Sequence, residues 1–223
     1  TPNGSFYTFT SRLGLDVTGP DIGKARSSAK IETDFGGFSG SNTMLRIRQA
    51  YVNLDWGKSA VLVGITWHPL FGAVMPDVLN LSTGAPFQPF NRSPQIRYQY
   101  KANSRVQLTA SVLWQLQYLS SGPKGMSEDY IKNSCIPEMF VGADFTPADG
   151  WLMGLGAHMI SLKPRTSTEW KEQTFKVNER MTAFSYEAHL KYSGRNYTFA
   201  AKTLMASALD HTALLGGYGV SSV

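Results

Sequence analysis

Residues 95–115, QIRYQYKANSRVQLTASVLWQ, contain the pattern that decides the fold of this chain. Apolar and polar residues alternate in two runs, on either side of the polar turn at 101–104. A period of two predicts a β-hairpin with one apolar and one polar face. The second run has about ten residues, which is close to the length that a tilted strand needs to cross a bilayer. The apolar face therefore lies either against lipid or inside a protein core.

The composition of the chain favours the membrane. Charged residues make up 17% of the 223 residues, which is low for a soluble protein, and aromatic residues make up 12%. No run approaches the roughly eighteen consecutive apolar residues of a membrane-spanning helix. Alternating strands explain both observations, because half of each strand stays polar.

The net charge and the single cysteine limit the partners. The formal net charge of +5 weakly favours anionic partners, but the chain has no lysine-rich run, helix-turn-helix pattern or zinc-finger spacing, so nucleic acid is not predicted. Cys135 has no second cysteine and no histidine at ligand spacing, which predicts a free thiol in a loop. Residue 1 is a threonine and no signal peptide is present, so we expect a processed chain or a fragment.

Similar alternating segments predict about ten antiparallel strands. Short turns and longer loops alternate along the chain, and aromatic residues collect at the strand ends, for example Trp56, Trp67, Trp114 and Trp151. Alternating loop lengths with aromatic residues at both rims predict an all-β, antiparallel transmembrane β-barrel. The alternative is a soluble β-sandwich, which needs neither aromatic residues at strand ends nor loops of such unequal length.

Two irregular places interrupt this regular alternation. The strand LRIRQAYVNLDW (45–56) changes phase, and a β-bulge near Arg48 and Gln49 restores the pattern with Arg46 and Arg48 on the polar side. The proline-rich segment 69–94 separates two strands, and we expect it to fold into the barrel as a pore-constricting loop, with Phe71, Phe87 and Phe90 anchoring it.

Three stretches carry a resemblance to a known family. These are LRIRQAYVNLDW (45–56), GITWHPLFGAVMP (64–76) and NRSPQIRYQY (91–100). With them the chain resembles the bacterial outer-membrane porins of the phosphate-selective and DcaP-like superfamily, and Arg46, Arg48, Arg92 and Arg97 match the arginine positions of its motifs. The resemblance implies a barrel of 16–18 strands in the Gram-negative outer membrane, in contact with lipid and lipopolysaccharide. It also implies a homotrimer and small anionic solutes.

The direction of the strands bears on how much of the barrel this chain contains. If the short turns are periplasmic, the first strand starts and the last strand ends at the extracellular side, whereas barrels of this class begin and end in the periplasm. We therefore expect residues 1–223 to be a single β-barrel domain that is incomplete at both ends. A closed ten-stranded barrel is the weaker interpretation.

Basic residues on the polar face are the candidates for pore lining and anion selectivity. A guanidinium group binds phosphate and carboxylate with a planar fork, and it stays charged at any relevant pH. The alternative is that these charges only hydrate the interior and pair with nearby carboxylates, such as Glu32, Asp34, Glu138, Asp144 and Glu187. The candidates are Arg12, Arg26, Lys30, Arg46, Arg48, Arg92 and Arg97.

No motif predicts catalysis, a metal site or a cofactor. The histidines, His68, His158, His189 and His211, are scattered along the sequence. Asp210–His211 is an acid–histidine pair of the kind that outer-membrane proteases use, but neighbouring strand residues point to opposite faces. The sequence therefore predicts that the chain is not an enzyme. It predicts a porin that passes small, preferentially anionic solutes by diffusion. The alternatives are a non-conducting structural or adhesion barrel and, less favoured, a barrel protease.

Overall fold

Ten long antiparallel strands dominate the computed structural model, which describes residues 11–36, 44–72, 74 and 88–219. Two short hairpins, one short helix and two 3₁₀ turns, at Pro69–Phe71 and Asp210–Thr212, lie in the connections. The strands and the helix are β1 (Arg12–Thr18), β2 (Arg26–Asp34), β3 (Arg46–Asp55), β4 (Ser59–Trp67), β5 (Arg92–Lys101), β6 (Val106–Leu113), β7 (Ser121–Gly122), β8 (Gly125–Met126), α1 (Asp129–Ser134), β9 (Glu138–Phe145), β10 (Trp151–Leu162), β11 (Ser167–Trp170), β12 (Gln173–Lys176), β13 (Met181–Ser193) and β14 (Thr198–Met205).

The long strands form one sheet in sequential order, β1-β2-β3-β4-β5-β6-β9-β10-β13-β14. Every neighbouring pair is antiparallel, and β7-β8 and β11-β12 form separate two-stranded hairpins. Within the described residues β1 and β14 are not paired with each other, so the sheet is open. This arrangement confirms the predicted all-β class and the predicted number of long strands. No helix among the described residues is long and apolar enough to span a membrane.

The two faces of the sheet have opposite character. Along β6, Leu108, Ala110 and Val112 are exposed, whereas Ser111 on the other face is buried. We call the face with the exposed apolar residues the outer face and the opposite one the inner face. The same alternation occurs on the other strands. Their exposed apolar residues include Ile31, Val52, Val63, Ile96, Val141, Leu155, Phe184, Tyr186 and Phe199.

One apolar residue of the second run of the hairpin does not follow the others. The alternation predicts that Val106, Leu108, Ala110, Val112 and Trp114 face lipid. Trp114 follows the last residue of β6 and packs against a buried cluster that includes Tyr130 and Ile131 of α1 and Ile160 of β10. The prediction that Trp114 faces lipid is therefore wrong, because the strand alternation ends one residue earlier and the chain turns toward α1.

The predicted bulge in β3 is confirmed. Glu32 of β2 pairs with Gln49 and Thr33 pairs with Ile47, so Arg48 is the extra residue on β3. The extra residue restores the alternation and leaves both Arg46 and Arg48 on the inner face, where they contact the carboxylates of β2. The bulge thus brings two guanidinium groups to one short stretch of the inner face.

Two segments outside the strands pack against the inner face. Leu70, from the 3₁₀ turn after β4, is fully buried in a cluster with Leu113 of β6, Phe140 of β9 and Leu209 before the second 3₁₀ turn. The ammonium group of Lys202 on β14 donates to the carbonyl oxygens of Leu70 and Phe71. Within the segment 69–94, residues 73 and 75–87, with Phe87, lie outside the described residues.

The end of this segment differs from the sequence prediction. β5 begins at Arg92, which pairs with Trp67 of β4, so Arg92, Ser93 and Pro94 belong to a strand and not to a loop. Pro94 lies opposite Ile65 of β4, and its carbonyl oxygen accepts from the amide of Trp114 at 2.9 Å. Phe71 stacks on Trp67 with ring centroids 4.1 Å apart, and Phe90 meets the same indole edge-on at 5.1 Å.

Candidate functional site

The arginines of β3 are held by carboxylates of β2. Arg46 binds Asp34 with two parallel bonds, Nε to Oδ1 at 2.9 Å and Nη2 to Oδ2 at 2.8 Å. Arg48 donates from Nε to Glu32 at 2.7 Å and from Nη1 to Asp34 at 2.9 Å. Both guanidinium groups are largely buried and each is paired with a carboxylate. The positive charges of this network are therefore largely offset by the negative ones.

The candidates near the sheet edge are also paired. Arg26 contacts Asp55 at 2.9 Å and Lys30 contacts Asp16 at 2.9 Å. Arg12 lies 3.8 Å from Glu32, a carboxylate that it shares with Arg48. These three pairs each include a solvent-exposed partner, and exposed pairs are screened by water. Their charges act on a passing ion less strongly than buried charges do.

Arg97 on β5 has a different environment. Its Nε donates to Gln95 Oε1 at 3.0 Å and its Nη2 donates to the carbonyl oxygen of Trp67 at 2.6 Å. No carboxylate of the described residues forms an ion pair with it. Two neutral acceptors thus hold the guanidinium in place without cancelling its charge. Arg92 is almost completely buried, with its guanidinium 5.1 Å from the centre of the Trp67 ring.

A cavity of about 260 Å³ lies on the inner face beside Arg97. Pro69 and Gly72 of the first inward connection line one side of it. The wall contributes the polar residues Gln99, Gln107 and Thr109, together with acidic residues of β9 and β13. The cavity therefore has a cationic and an anionic side. Of the sequence candidates, the structure places only Arg97 on its lining.

The acidic side of the cavity contains an acid–histidine pair. His189 Nε2 lies 3.1 Å from Asp144 Oδ1, and its Nδ1 lies 3.6 Å from Glu187 Oε2. Lys202 Nζ approaches the same Glu187 oxygen at 3.6 Å. Gly154 makes room for the imidazole, because a Cβ at this glycine would lie 2.3 Å from two ring atoms of His189.

A second histidine cluster is buried under the inward connections. Glu138 Oε2 lies 3.3 Å from His68 Nε2, 3.3 Å from His158 Nε2 and 3.2 Å from His211 Nε2. All four side chains are at most 1% exposed. Glu138 is on β9 and His158 on β10, whereas His68 and His211 come from the two 3₁₀ turns. The cluster thus joins both inward connections to the wall.

Further polar groups support this cluster. Gln115 donates from Nε2 to Glu138 Oε1 at 3.0 Å. His68 Nδ1 accepts from the amide of Leu70 at 3.2 Å, and burial lowers the pKa of His68 to about 4. Burial also acts to lower the pKa of His211, but the Glu138 carboxylate outweighs it and raises this pKa above its ordinary value. The neighbouring carboxylate therefore favours a positive charge on His211, and burial favours a neutral His68.

The sequence did not reveal this cluster. The three histidines are 70, 20 and 73 residues from Glu138, and no fixed spacing connects them. The argument against Asp210–His211 assumed a strand, whereas both residues lie in a 3₁₀ turn, where alternation does not apply. The only available signal was that His158 and Glu138 fall on the inner parity of their strands.

Comparisons with known proteins support the fold. No family model matches the chain, and no curated protein matches it. Among solved structures, the chain is similar to OmpTdeltaL8, a loop L8 deletion mutant of OmpT, an outer membrane protein of Vibrio cholerae. The TM-score is 0.53 at 14% identity, over 88% of this chain and 61% of that chain. The chain thus spans about three fifths of the length of the protein it matches.

This similarity shows the fold of an outer-membrane β-barrel protein. It agrees with the predicted location in the bacterial outer membrane. It gives no support to the narrower resemblance to the phosphate-selective and DcaP-like porins.

The prediction that the chain is not an enzyme has to be corrected. The prediction disfavoured a barrel protease because the histidines are scattered along the sequence. In the structure, however, three histidines meet at Glu138, and the fourth forms an acid–histidine pair at a cavity. The similarity to OmpT shows that these groups lie on an outer-membrane barrel fold. This is the class of fold to which the barrel protease alternative refers. We therefore withdraw the prediction.

Proposed function

We propose that the inner face of this sheet lines a water-filled pore through which small solutes diffuse, with a preference for anions. The observation that carries this proposal is Arg97, a cation on the lining of an inner-face cavity, held by neutral groups only within the described residues. An outer-membrane barrel with a polar inner face has the composition of a channel wall.

The first inward connection supports a constriction at this point. Leu70 is buried among wall residues, and Lys202 binds the carbonyl oxygens of the same turn. Pro69 and Gly72 then share the cavity with Arg97. A narrow passage next to a low-dielectric wall increases the effect of one charge on a passing ion.

The paired arginines have a different role in this proposal. The group formed by Arg12, Arg46 and Arg48 with Glu32 and Asp34 has three positive and two negative charges, so one positive charge remains. This residual charge adds to the field of Arg97. The arginines themselves mainly hold β2 and β3 together across the bulge.

The partners of the pore are also proposals. The outer face meets membrane lipid and lipopolysaccharide, and the protein is expected to form a homotrimer, an expectation that comes from the family resemblance alone. Native mass spectrometry in mild detergent measures the oligomeric state, and a monomer as the single species would contradict the trimer.

Conductance in planar bilayers tests the pore. Purified protein is expected to insert and to give stepwise, ohmic conductance with an anion-selective zero-current potential. Insertion without conductance would favour the structural or adhesion barrel. Cation selectivity would contradict the role given to Arg97.

A second candidate function follows from His189. An imidazole whose two nitrogens both face carboxylates carries a proton on each and can act as a general acid, and His189 lies between Asp144 and Glu187 on the cavity lining in this way. A hydrolase would cleave members of a peptide library, and His189→Gln would abolish the cleavage. Absence of cleavage in the unsubstituted protein would remove this candidate and leave the pore proposal unchanged.

A further inference from the structure

The buried cluster of His68, His158, His211 and Glu138 consists of residue types that bind zinc. Imidazole nitrogens and carboxylate oxygens are both zinc ligands in proteins. In the structure the ligand atoms of His68, Glu138 and His158 all lie within 4.8 Å of one another. From these observations we propose that the cluster is a structural site for a divalent transition metal of the zinc type.

The distances within the cluster fit a metal better than hydrogen bonds alone. Nitrogen-to-oxygen distances to the Glu138 carboxylate are 3.1–3.3 Å. Hydrogen bonds to a charged acceptor are usually about 2.7–2.9 Å long. Neighbouring ligand atoms around a tetrahedral zinc, with bonds of about 2.0–2.1 Å, are about 3.3 Å apart.

The positions of the ring protons also favour a bound metal. If the neutral ring of His158 donates to Glu138 through Nε2, its Nδ1 is left as an acceptor. His158 Nδ1 is buried and has no hydrogen-bond partner within the described residues. A buried acceptor without a partner costs about 1–3 kcal/mol. Metal bound at Nε2 leaves His158 Nδ1 as an unpaired N–H instead, so this cost is the same in both arrangements. What the metal accounts for is the convergence of the Nε2 atoms on one carboxylate without three shared protons.

His68 distinguishes the two arrangements. Its Nδ1 accepts from the amide of Leu70, which requires the proton on Nε2 in the neutral ring. Binding of metal at Nε2 breaks this hydrogen bond, so the first turn after β4 changes its contact when metal binds. The surrounding groups already orient the carboxylate, because Gln115 donates to Oε1 and is itself bonded to Ser120.

The site has a structural and not a catalytic character. His68, Glu138 and His158 supply three ligand atoms, and His211 contacts the same carboxylate. All four side chains are at most 1% exposed, so a metal held among them is closed off from a substrate. One metal ion would join the turns at 69–71 and 210–212 to β9 and β10. It would therefore hold the two inward connections that pack over the inner face.

The test is metal analysis of the purified, untagged protein. The protein is refolded from denaturant in the presence of a chelator and then dialysed against zinc. Its zinc content is measured by inductively coupled plasma mass spectrometry, and its zinc affinity by competition with a chromophoric chelator. We expect one zinc per chain, with binding weakened at least about a hundredfold by Glu138→Gln or His158→Gln. His189→Gln is the matched control, a buried inner-face histidine outside the cluster, and it should keep the zinc.

X-ray absorption of the unsubstituted protein keeps the proposal testable if the variants fail to fold. Nitrogen and oxygen neighbours at about 2.0–2.1 Å with imidazole scattering would support it. A folded protein without zinc at saturating concentrations would overturn it. Equal zinc binding by the His158→Gln variant would overturn it as well, because the metal would then be held elsewhere. Either failure leaves the conductance experiment unaffected.

Discussion

Replacing Arg97 by glutamine removes the one cavity-lining charge that has no carboxylate partner within the described residues. Glutamine keeps a polar side chain but cannot carry charge. An anion about 6 Å from the guanidinium gains about 0.7 kcal/mol in a medium like water and about 3 kcal/mol at an effective dielectric constant near 20. A water-filled cavity in a protein wall lies toward the lower end of this range.

A loss of about 1 kcal/mol lowers the ratio of anion to cation permeability about fivefold, since about 1.4 kcal/mol corresponds to a factor of ten. Under a roughly tenfold KCl gradient this change moves the zero-current potential toward zero by about 30 mV, given about 59 mV for full selectivity. The shift should be smaller at higher salt, where ions screen the charge.

The assay is a planar bilayer with the unsubstituted protein, Arg97→Gln and Arg97→Lys. Lysine keeps the charge, so its potential should stay near that of the unsubstituted pore although the bidentate geometry is lost. The reasoning is refuted if the glutamine variant keeps the original potential. It is equally refuted if lysine and glutamine have the same effect, because the charge would then not be the cause.

Three further predictions follow from the inner network, the sheet and the faces. Arg48→Ala leaves Glu32 with only the exposed Arg12 and Asp34 with only Arg46, and should lower the free energy of unfolding in urea by about 2 kcal/mol. Arg26→Ala, in an exposed pair, should cost less than about 1 kcal/mol, and equal losses would contradict the network. Gly64 has φ +136°, and a Cβ there would lie 2.2 Å from the carbonyl oxygen of Ala50, so Gly64→Ala should destabilise by about 2 kcal/mol or more in the same titration, while Gly14→Ala, with no atom nearer than 3.9 Å, should be nearly neutral. In a Cys135→Ser background, a spin label at Val112 should be relaxed by oxygen dissolved in lipid and one at Thr109 by a water-soluble nickel complex; the reverse pattern would contradict the assignment of the faces.

The cluster around Glu138 could not be predicted from the sequence. Its histidines come from β10 and from two connections, and they approach Glu138 only because Leu70 and Leu209 pack on the inner face. Long-range convergence of this kind leaves no periodic signal. That no carboxylate of the described residues offsets the charge of Arg97 could also be learned only from the fold. The pairing of β4 with β5 brings the carbonyl oxygen of Trp67 within reach of its guanidinium.

The alternation of apolar and polar residues is enough to assign most strand residues to a face, because side chains alternate with a period of two whatever the neighbouring strands are. It also located the bulge in β3, since an inserted residue reverses the parity of Arg46 and Arg48 relative to Ala50 and Val52. Which charges cancel depends on the folded arrangement of the strands. The register between β2 and β3 pairs Arg46 and Arg48 with carboxylates, and the same packing leaves Arg97 with neutral acceptors, because hydrogen bonds and ion pairs depend on distances of a few ångströms that no single strand specifies.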